Sequence, residues 1–375
     1  MIIIHTSDWH LGAIDGERSL QEDQRFFIEE ICRVIQEEGA DALLVAGDVY
    51  DRSVASAEAI RLYDWAVTRI CQELGVPVLM IAGNHDSAER LANCSELLAS
   101  SGLYVVGSIV REPRFVVLDD TQIFFLPWIT EEKVRSVYPE ERDAIQTLEA
   151  AYRAVTRRFR ESFLADKRHV LLAHAFVTSA ETSTSDRAAE IGFATQIPAA
   201  VFDGFDYVAL GHIHKPQSVT QTVRYSGTPM PYSFGKEEKQ QKSVTLIDTS
   251  TMTQRIVPLP LLHERTTITG TLAQVLNPSC SEAERNGYVR VQVSDSYIGL
   301  ETYSELKQIY PNLLEVVGKT FDNPDATVTL TLQELEALET DPVEVFKYFC
   351  REETDTTADD HLIDLFKRAM KEVEE

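Results

Sequence analysis

The chain opens on an apolar run, Ile2-Ile3-Ile4, that passes abruptly into His5-Thr6-Ser7-Asp8-Trp9-His10. The same change from apolar to polar recurs four times. Ala42-Leu43-Leu44-Val45-Ala46 leads into Gly47-Asp48, and Val76-Pro77-Val78-Leu79-Met80-Ile81 into Ala82-Gly83-Asn84-His85-Asp86. His169-Val170-Leu171-Leu172-Ala173 leads into His174, and Tyr207-Val208-Ala209-Leu210 into Gly211-His212-Ile213-His214. Short apolar runs punctuated by glycine predict buried strands. Between the first three, Phe27, Ile31, Val34 and Ile35 recur at helical spacing over 21–38. Ala59, Ile60, Tyr63, Val67 and Ile70 do so over 56–74, with Ser56 placed as N-cap. A third helix is expected over 87–99. The order β-α-β-α-β-α implies a parallel sheet with functional groups at the carboxyl ends of its strands.

The pattern then changes. Strands are predicted at 104–106, 115–118 and 123–126, with Asp119-Asp120 as a hairpin turn, followed by a long helix over 140–163. Thr178 to Asp186, rich in Ser, Thr and Glu, reads as an exposed loop. Largely antiparallel strands are expected at 219–225, 243–247 and 255–259, and Pro258 and Pro260 mark a boundary. Residues 263–320 read as a small α/β unit and the remainder as helical, with an apolar stripe from Leu362 to Val373. Three segments are therefore expected: 1–260, 261–330 and an acidic helical 331–375.

Charge sharpens this division. Of a net −25, residues 261–375 carry −13, from 23 acidic and 10 basic residues. So acidic a chain is poorly suited to holding nucleic acid alone, because phosphate contacts need Lys and Arg. No apolar run approaches the ~20 residues that span a bilayer, and the N-terminus lacks a basic segment with a cleavage site. A cytoplasmic protein without a membrane partner is the expectation. Five scattered cysteines, without a C-x-x-C pair, argue against a disulfide framework or a cysteine zinc site.

The polar strand ends collect Asp8, His10, Asp48, Asn84, His85, His174, His212 and His214. Carboxylate, imidazole and one amide oxygen together suit a borderline divalent ion such as Mn, Fe or Zn better than an all-oxygen Mg or Ca site. Seven ligands with Asp48 shared supply the roughly eight contacts that two ions need, about 3.5–4 Å apart. Such a pair serves phosphoester hydrolysis. His85, beside ligand Asn84 but not placed as a ligand, is the candidate proton donor to the leaving oxygen, with Asp86 as its orienting partner. His5, His169, His263 and His361 read as structural, Trp9 as packing, and Asp51 and Arg52 as solvated or substrate-side.

Those residues, in that order, resemble the calcineurin-like metallophosphoesterases. Five stretches narrow the resemblance: 5–12, 46–51, 82–86, Gly211-His212-Ile213-His214-Lys215-Pro216-Gln217, and Tyr225-Ser226-Gly227-Thr228-Pro229-Met230-Pro231-Tyr232-Ser233-Phe234. They are similar to the nuclease subunits that work with a coiled-coil ATPase in double-strand-break repair. The resemblance is strong over residues 1–260 and looser beyond. It implies an α/β fold, a two-layer β-sandwich flanked by helices, with a small α/β capping domain and a helical C-terminal segment that docks on the ATPase. It implies two divalent ions, usually Mn, one on Asp8, His10, Asp48 and His214, the other on Asp48, Asn84, His174 and His212. It further implies 3′–5′ exonuclease activity on double-stranded DNA and endonuclease activity on single strands and hairpins. ATP is hydrolysed by the partner, and a homodimer forms through helices after Asp48 and Asn84, within a heterotetramer. Ile191-Gly192-Phe193 departs from the glycine pair usual in the loop after His174.

Two other readings fit the same residues: a phosphodiesterase or phosphatase acting on nucleotides or other small phosphoesters, and a scaffold that tethers DNA ends with an idle metal site. The docking segment favours the nuclease over the first, and the complete ligand set with His85 disfavours the second.

Overall fold

The computed structural model describes residues 1–330 except 17, 179, 184, 186–195, 298–299 and 321–322, and beyond 330 only 343, 346 and 362–367. The chain forms two compact units, Met1–Leu262 and His263–Glu375.

The first unit is built on two six-stranded sheets. One runs, in spatial order, Thr253–Pro258, Ser243–Asp248, Ile2–Thr6, Ala42–Val45, Val78–Ile81 and Leu103–Val106. The other runs Gln217–Ser218, Val223–Tyr225, Tyr207–Gly211, Arg168–His174, Thr121–Leu126 and Phe115–Leu118. Alternation along the strands divides their side chains between two cores. Ile123, Phe125, Val170, Leu172, Tyr207 and Ala209 of the second sheet meet Ile3, Leu44, Leu79 and Ile81 of the first in a predominantly apolar interlayer. The intervening Phe124, Leu126, Leu171, Ala173, Val208 and Leu210 point the other way, into the helix Leu148–Glu161 through Ala151, Tyr152, Val155 and Phe159. Each large apolar side chain buried here contributes about 1.5–3 kcal/mol. A one-residue slip would exchange the two faces, so the register is strongly fixed.

Register also aligns the strand ends. Thr6 pairs with Val45 and Val45 with Met80, all in parallel, while Gly211 pairs with His174 in the second sheet. The chain therefore leaves five strands at one rim of the sandwich, and each exit carries a polar residue singled out above.

Several expectations need correction. The last two strands are antiparallel, but Ser243–Asp248 and Thr253–Pro258 return to the first sheet beside Ile2–Thr6, while Tyr207–Gly211 is parallel to both its neighbours. The predicted helix over 87–99 is split into Ala88–Leu91 and Ser95–Leu98, because Cys94 takes a left-handed conformation (φ 57°) between them. The long helix begins at Leu148 rather than 140, where the Thr147 hydroxyl caps it by accepting from the Ala150 amide. The helix over 57–68 starts as expected, with Ser56 capping the Ala59 amide.

The second unit contains a sheet in the order Arg265–Gly270, Tyr288–Tyr297, Leu313–Thr320, Asn323–Leu330. Its core gathers Val289, Val291, Val293, Tyr303, Leu306, Tyr310 and Val316, with Leu300–Ile309 supplying the helical side. The two short helices Leu272–Leu276 and Glu282–Asn286 each open on a reciprocal capping box, from Thr271 and Ser281. In the acidic C-terminal segment 362–367 is helical, and Phe366 stacks on Phe346 with ring centroids 4.1 Å apart. The rest of that segment, with His361 and the loop glycine at Ile191-Gly192-Phe193, lies outside the described residues. Among the described residues no helix is long and apolar enough to cross a membrane.

Candidate metal centre

At the rim the backbone is held in conformations that side chains rarely adopt. Asp8 (φ 53°), His10 (φ 43°), Asp48 (φ 49°) and His212 (φ 100°) all lie at positive φ. Such geometry costs of order 1–3 kcal/mol per residue and persists where the surroundings over-determine it. Here they do. The Asp8 amide donates to the Gly47 carbonyl at 3.0 Å, the His10 amide to the Asp48 carbonyl at 3.0 Å, and the His212 amide to Asp8 Oδ1 at 3.0 Å. Two glycines permit this closeness. A Cβ on Gly83 would lie 2.1 Å from Asp48 Oδ1, and one on Gly211 1.9 Å from the Ala46 carbonyl oxygen.

The side chains converge into two adjoining groups. Ligating atoms of Asp8, His10 and His214 all lie within 4.8 Å of one another, as do those of Asp48, His174 and His212. His10 Nε2 and His214 Nε2 are 3.1 Å apart. Asn84 Oδ1 joins the second group, 2.8 Å from His174 Nε2 and 3.0 Å from His212 Nδ1. Asp48 Oδ2 stands between the groups, 3.4 Å from His174 Nε2 and 4.0 Å from His10 Nε2. Nitrogen and oxygen donors aimed at one another in a buried site suit a divalent cation, and the mixed set fits the borderline metals.

Burial sets the electrostatics. It lowers His212 to about 3, with nearby His174 adding to the effect, and lowers His10 well below the ordinary imidazole value. It raises the Asp8 carboxyl. At His174 burial works downward, but Asp48 outweighs it and lifts the imidazole to about 9. Burial likewise works to raise Asp48, and the His174, His85 and His10 imidazoles outweigh it, holding its carboxyl well below the usual range. His10 and His212 thus keep their imidazole lone pairs unprotonated, as metal ligation requires, while Asp48 favours the protonated form of His174. His174 is also oriented from behind, its Nδ1–H donating to the Ala46 carbonyl at 2.8 Å, and the Tyr152 hydroxyl fixes its carbonyl at 3.1 Å.

His85 faces the same carboxylate. Its amide donates to Asp48 Oδ1 at 2.8 Å and its Nε2 is 3.9 Å from Asp48 Oδ2. Its Nδ1–H donates to the Asp51 carbonyl at 2.7 Å. The orienting role expected of Asp86 is therefore corrected. The Asp86 carboxylate accepts from the amides of Gly83 (2.8 Å), Tyr50 (2.9 Å) and Val49 (3.1 Å), tying the two strand exits together. Burial, with Asp48 close by, raises its carboxyl to about 6 against those three donors. Asp51, read as solvated or substrate-side, has its backbone carbonyl on His85 and its carboxylate within ligand reach of His10 and His85.

Three histidines lie apart from the centre. His5 sits between Tyr207 and the Leu210 carbonyl, His169 stacks on Phe163, and His263 packs on Tyr288. Trp9 is fully buried. Sequence reasoning missed Trp128, stacked on His212 with centroids 5.2 Å apart, and Tyr232, whose hydroxyl donates to the Trp9 carbonyl beside the His10 ring. It also missed Glu237, whose Oε1 is 3.5 Å from His214 Nδ1. Glu237 lies in the charge run Lys236-Glu237-Glu238-Lys239, which has the look of a solvated turn.

A family profile described as calcineurin-like phosphoesterase matches residues 1–216. The chain belongs to the calcineurin-like phosphoesterases. Members of this family are metal-dependent, and the centre above lies within the matched residues. A second profile, the type 5 capsule protein repressor C-terminal domain (SbcD_C), matches residues 262–354, starting where the second unit starts. This phosphoesterase is 31% identical over 329 residues to the SbcD nuclease subunit of SbcCD from Staphylococcus epidermidis, a match covering 87% of each chain. The crystal structure of TT1561 from Thermus thermophilus is similar at a TM-score of 0.40 and 13% identity, covering 68% of this chain and 98% of that one. At that score it adds nothing to the assignment.

Proposed function

We propose that this chain is a DNA nuclease subunit of the SbcD type, hydrolysing phosphodiesters at a two-ion centre. The observation that carries the reading is the position of Asp48, shared between two donor groups and in contact with His85. In this reading Asp8, His10 and His214 would hold one ion, Asn84, His174 and His212 the other, and Asp48 would serve both. Divalent ions there, Mn by the family's habit, would supply Lewis acidity, acidifying a water and offsetting charge on the phosphoryl oxygens.

The chain's own residues do the rest. The anchored His174 and Asp48 keep the donor set from rearranging as substrate arrives. His85 commits its Nδ1–H to the Asp51 carbonyl, so it donates from Nε2 in the imidazolium form. The proton passes to the leaving 3′ or 5′ oxygen as the phosphorus–oxygen bond breaks, and the water's own proton is lost to solvent.

The family reading extends to 3′–5′ exonuclease and single-strand or hairpin endonuclease activity in DNA repair. It adds a cytoplasmic setting and SbcC as the ATPase partner that supplies basic surface this acidic chain lacks. The acidic 331–375 segment is then the SbcC-docking helix, and 261–330 the capping domain. Exposed Val54, Ile60 and Leu97, on and beside the helices after Asp48 and Asn84, support a homodimer within the heterotetramer.

The test is cleavage of a labelled hairpin and a linear duplex in Mn, with and without SbcC, beside cyclic nucleotides and p-nitrophenyl esters. The nuclease reading expects DNA cutting. Turnover of small esters with DNA intact in every mixture would replace it with the small-phosphoester reading.

A further inference from the structure

Behind His214 lies a buried ion pair that belongs to neither donor group. Glu237 and Lys242 are each 1% exposed. Lys242 Nζ lies 3.6 Å from Glu237 Oε2 and donates to the Thr228 hydroxyl at 2.7 Å, to Gln240 Oε1 at 3.2 Å and to the His214 carbonyl at 3.3 Å. The Tyr232 amide donates to the same carboxylate at 2.7 Å. An ammonium and an amide on one carboxylate keep it ionised, and an ionised carboxylate only accepts hydrogen bonds.

The other oxygen, Oε1, is hydrogen-bonded to the Ser185 hydroxyl, whose Oγ is also 2.6 Å from His214 Nδ1. Because Glu237 can only accept, Ser185 donates to it and turns its lone pair toward His214. Nδ1 must then carry the imidazole proton, which leaves Nε2 with its lone pair. That atom is the one directed toward His10 Nε2, 3.1 Å away, in the group with Asp8.

We infer that Glu237, pinned by Lys242, is a positioning residue that sets the direction of a His214–Ser185–Glu237 hydrogen-bond relay and so holds His214 in its metal-ligating tautomer. The inference rests on the two-ion reading. Without the carboxylate the Ser185 hydroxyl is free to turn and donate to Nδ1, which shifts the proton to Nε2 and blocks ligation. Lys242 also grips the His214 carbonyl, so one ammonium fixes both the backbone and the ring of the same ligand.

The test uses the full chain freed of metal by chelation and titrated with Mn(II), counting ions by calorimetry and by the electron paramagnetic resonance of free Mn(II). Single removal of Glu237 strands a buried ammonium, so the pair is replaced together. Glu237→Met with Lys242→Met removes the acceptor, and Glu237→Gln with Lys242→Met keeps an oxygen but not a fixed polarity. The first is expected to weaken one of the two ions by about 10- to 100-fold, the second less, with the other ion unchanged. Two ions at wild-type affinity in a folded Met/Met variant would overturn the inference. A wild type that binds fewer than two ions would instead count against the two-ion reading. Nitrogen-15 histidine spectra of the metal-free wild type decide independently of whether the variants fold. A proton on His214 Nδ1 is expected, and a proton on Nε2 would overturn the relay.

Discussion

The Asp48 carboxylate accepts a hydrogen bond from the His85 amide at 2.8 Å, and its second oxygen lies 3.9 Å from the same residue's Nε2. One side chain thus links the two candidate donor groups to the candidate proton donor. Asp48→Ala is expected to remove binding of both ions, measured by metal analysis after dialysis, and to abolish turnover. Asp48→Asn keeps an oxygen for the His85 amide but gives up the charge that sustains the buried His174 imidazolium, so it should lose some stability as well as most of its metal affinity. Retention of two ions by Asp48→Ala would remove the shared-ligand role.

His85 acts on substrate rather than on metal in this account. His85→Gln should keep two ions and lose about 100- to 10,000-fold in turnover, the range of general acid catalysis. Metal counts and steady-state rates on one preparation check this, and loss of an ion in the variant would make His85 a ligand.

Asp86 is a staple and not an orienting partner, since its carboxylate oxygens serve three backbone amides of the Asp48 and Asn84 exits. Asp86→Ala should cost about 2 to 4 kcal/mol in urea unfolding, as buried amides lose a charged acceptor. Its metal affinity should fall along with its stability. A variant as stable as wild type but catalytically dead would restore the orienting role.

Gly211 packs so close to the Ala46 carbonyl that a methyl group has no room, 1.9 Å against an ordinary contact above 3.4 Å. Gly211→Ala should destabilise by about 1–3 kcal/mol or more and displace His212. Weaker binding of the ion held with Asn84 and His174 would report that displacement, and unchanged affinity and stability would contradict it.

His5 gives a pH signature from outside the donor groups. Burial, with the Arg224 charge assisting, lowers its imidazole from 6.5 to about 3, so the folded chain holds it neutral. The unfolded chain takes up a proton below 6.5 and the folded one does not. Its contribution is therefore full above 6.5 and is lost as pH falls toward about 3, with a slope of at most about 1.4 kcal/mol per pH unit. A folded His5→Gln variant should lose stability less steeply than wild type between pH 6.5 and about 5. Parallel curves would show that His5 is charged in the fold.

The sequence made the strand exits legible because each apolar run stops at a glycine or a polar residue, and parallel pairing within each sheet aligns those exits. It did not reveal which sheet the late strands join. Ser243–Asp248 and Thr253–Pro258 carry the same alternation whether they extend one layer or the other, and only pairing with Ile2–Thr6 decides. Helix limits failed where the Thr147 side chain caps the backbone and where the Cys94 backbone turns left-handed. The groups behind the ligands were invisible for a related reason. Glu237 and Lys242 look like surface charges until the chain folds over them, and the carbonyls of Ala46 and Asp51 have no sequence signature at all.

The most direct test of the central claim compares leaving groups. Wild type and His85→Gln, both loaded with Mn, are assayed on a DNA phosphodiester and on bis(p-nitrophenyl) phosphate. An alkoxide needs a proton to depart, whereas p-nitrophenolate does not. The account predicts a large defect of the variant on DNA and a much smaller one on the nitrophenyl ester. Equal defects on both substrates would contradict it, because His85 would then serve some step other than protonating the leaving oxygen.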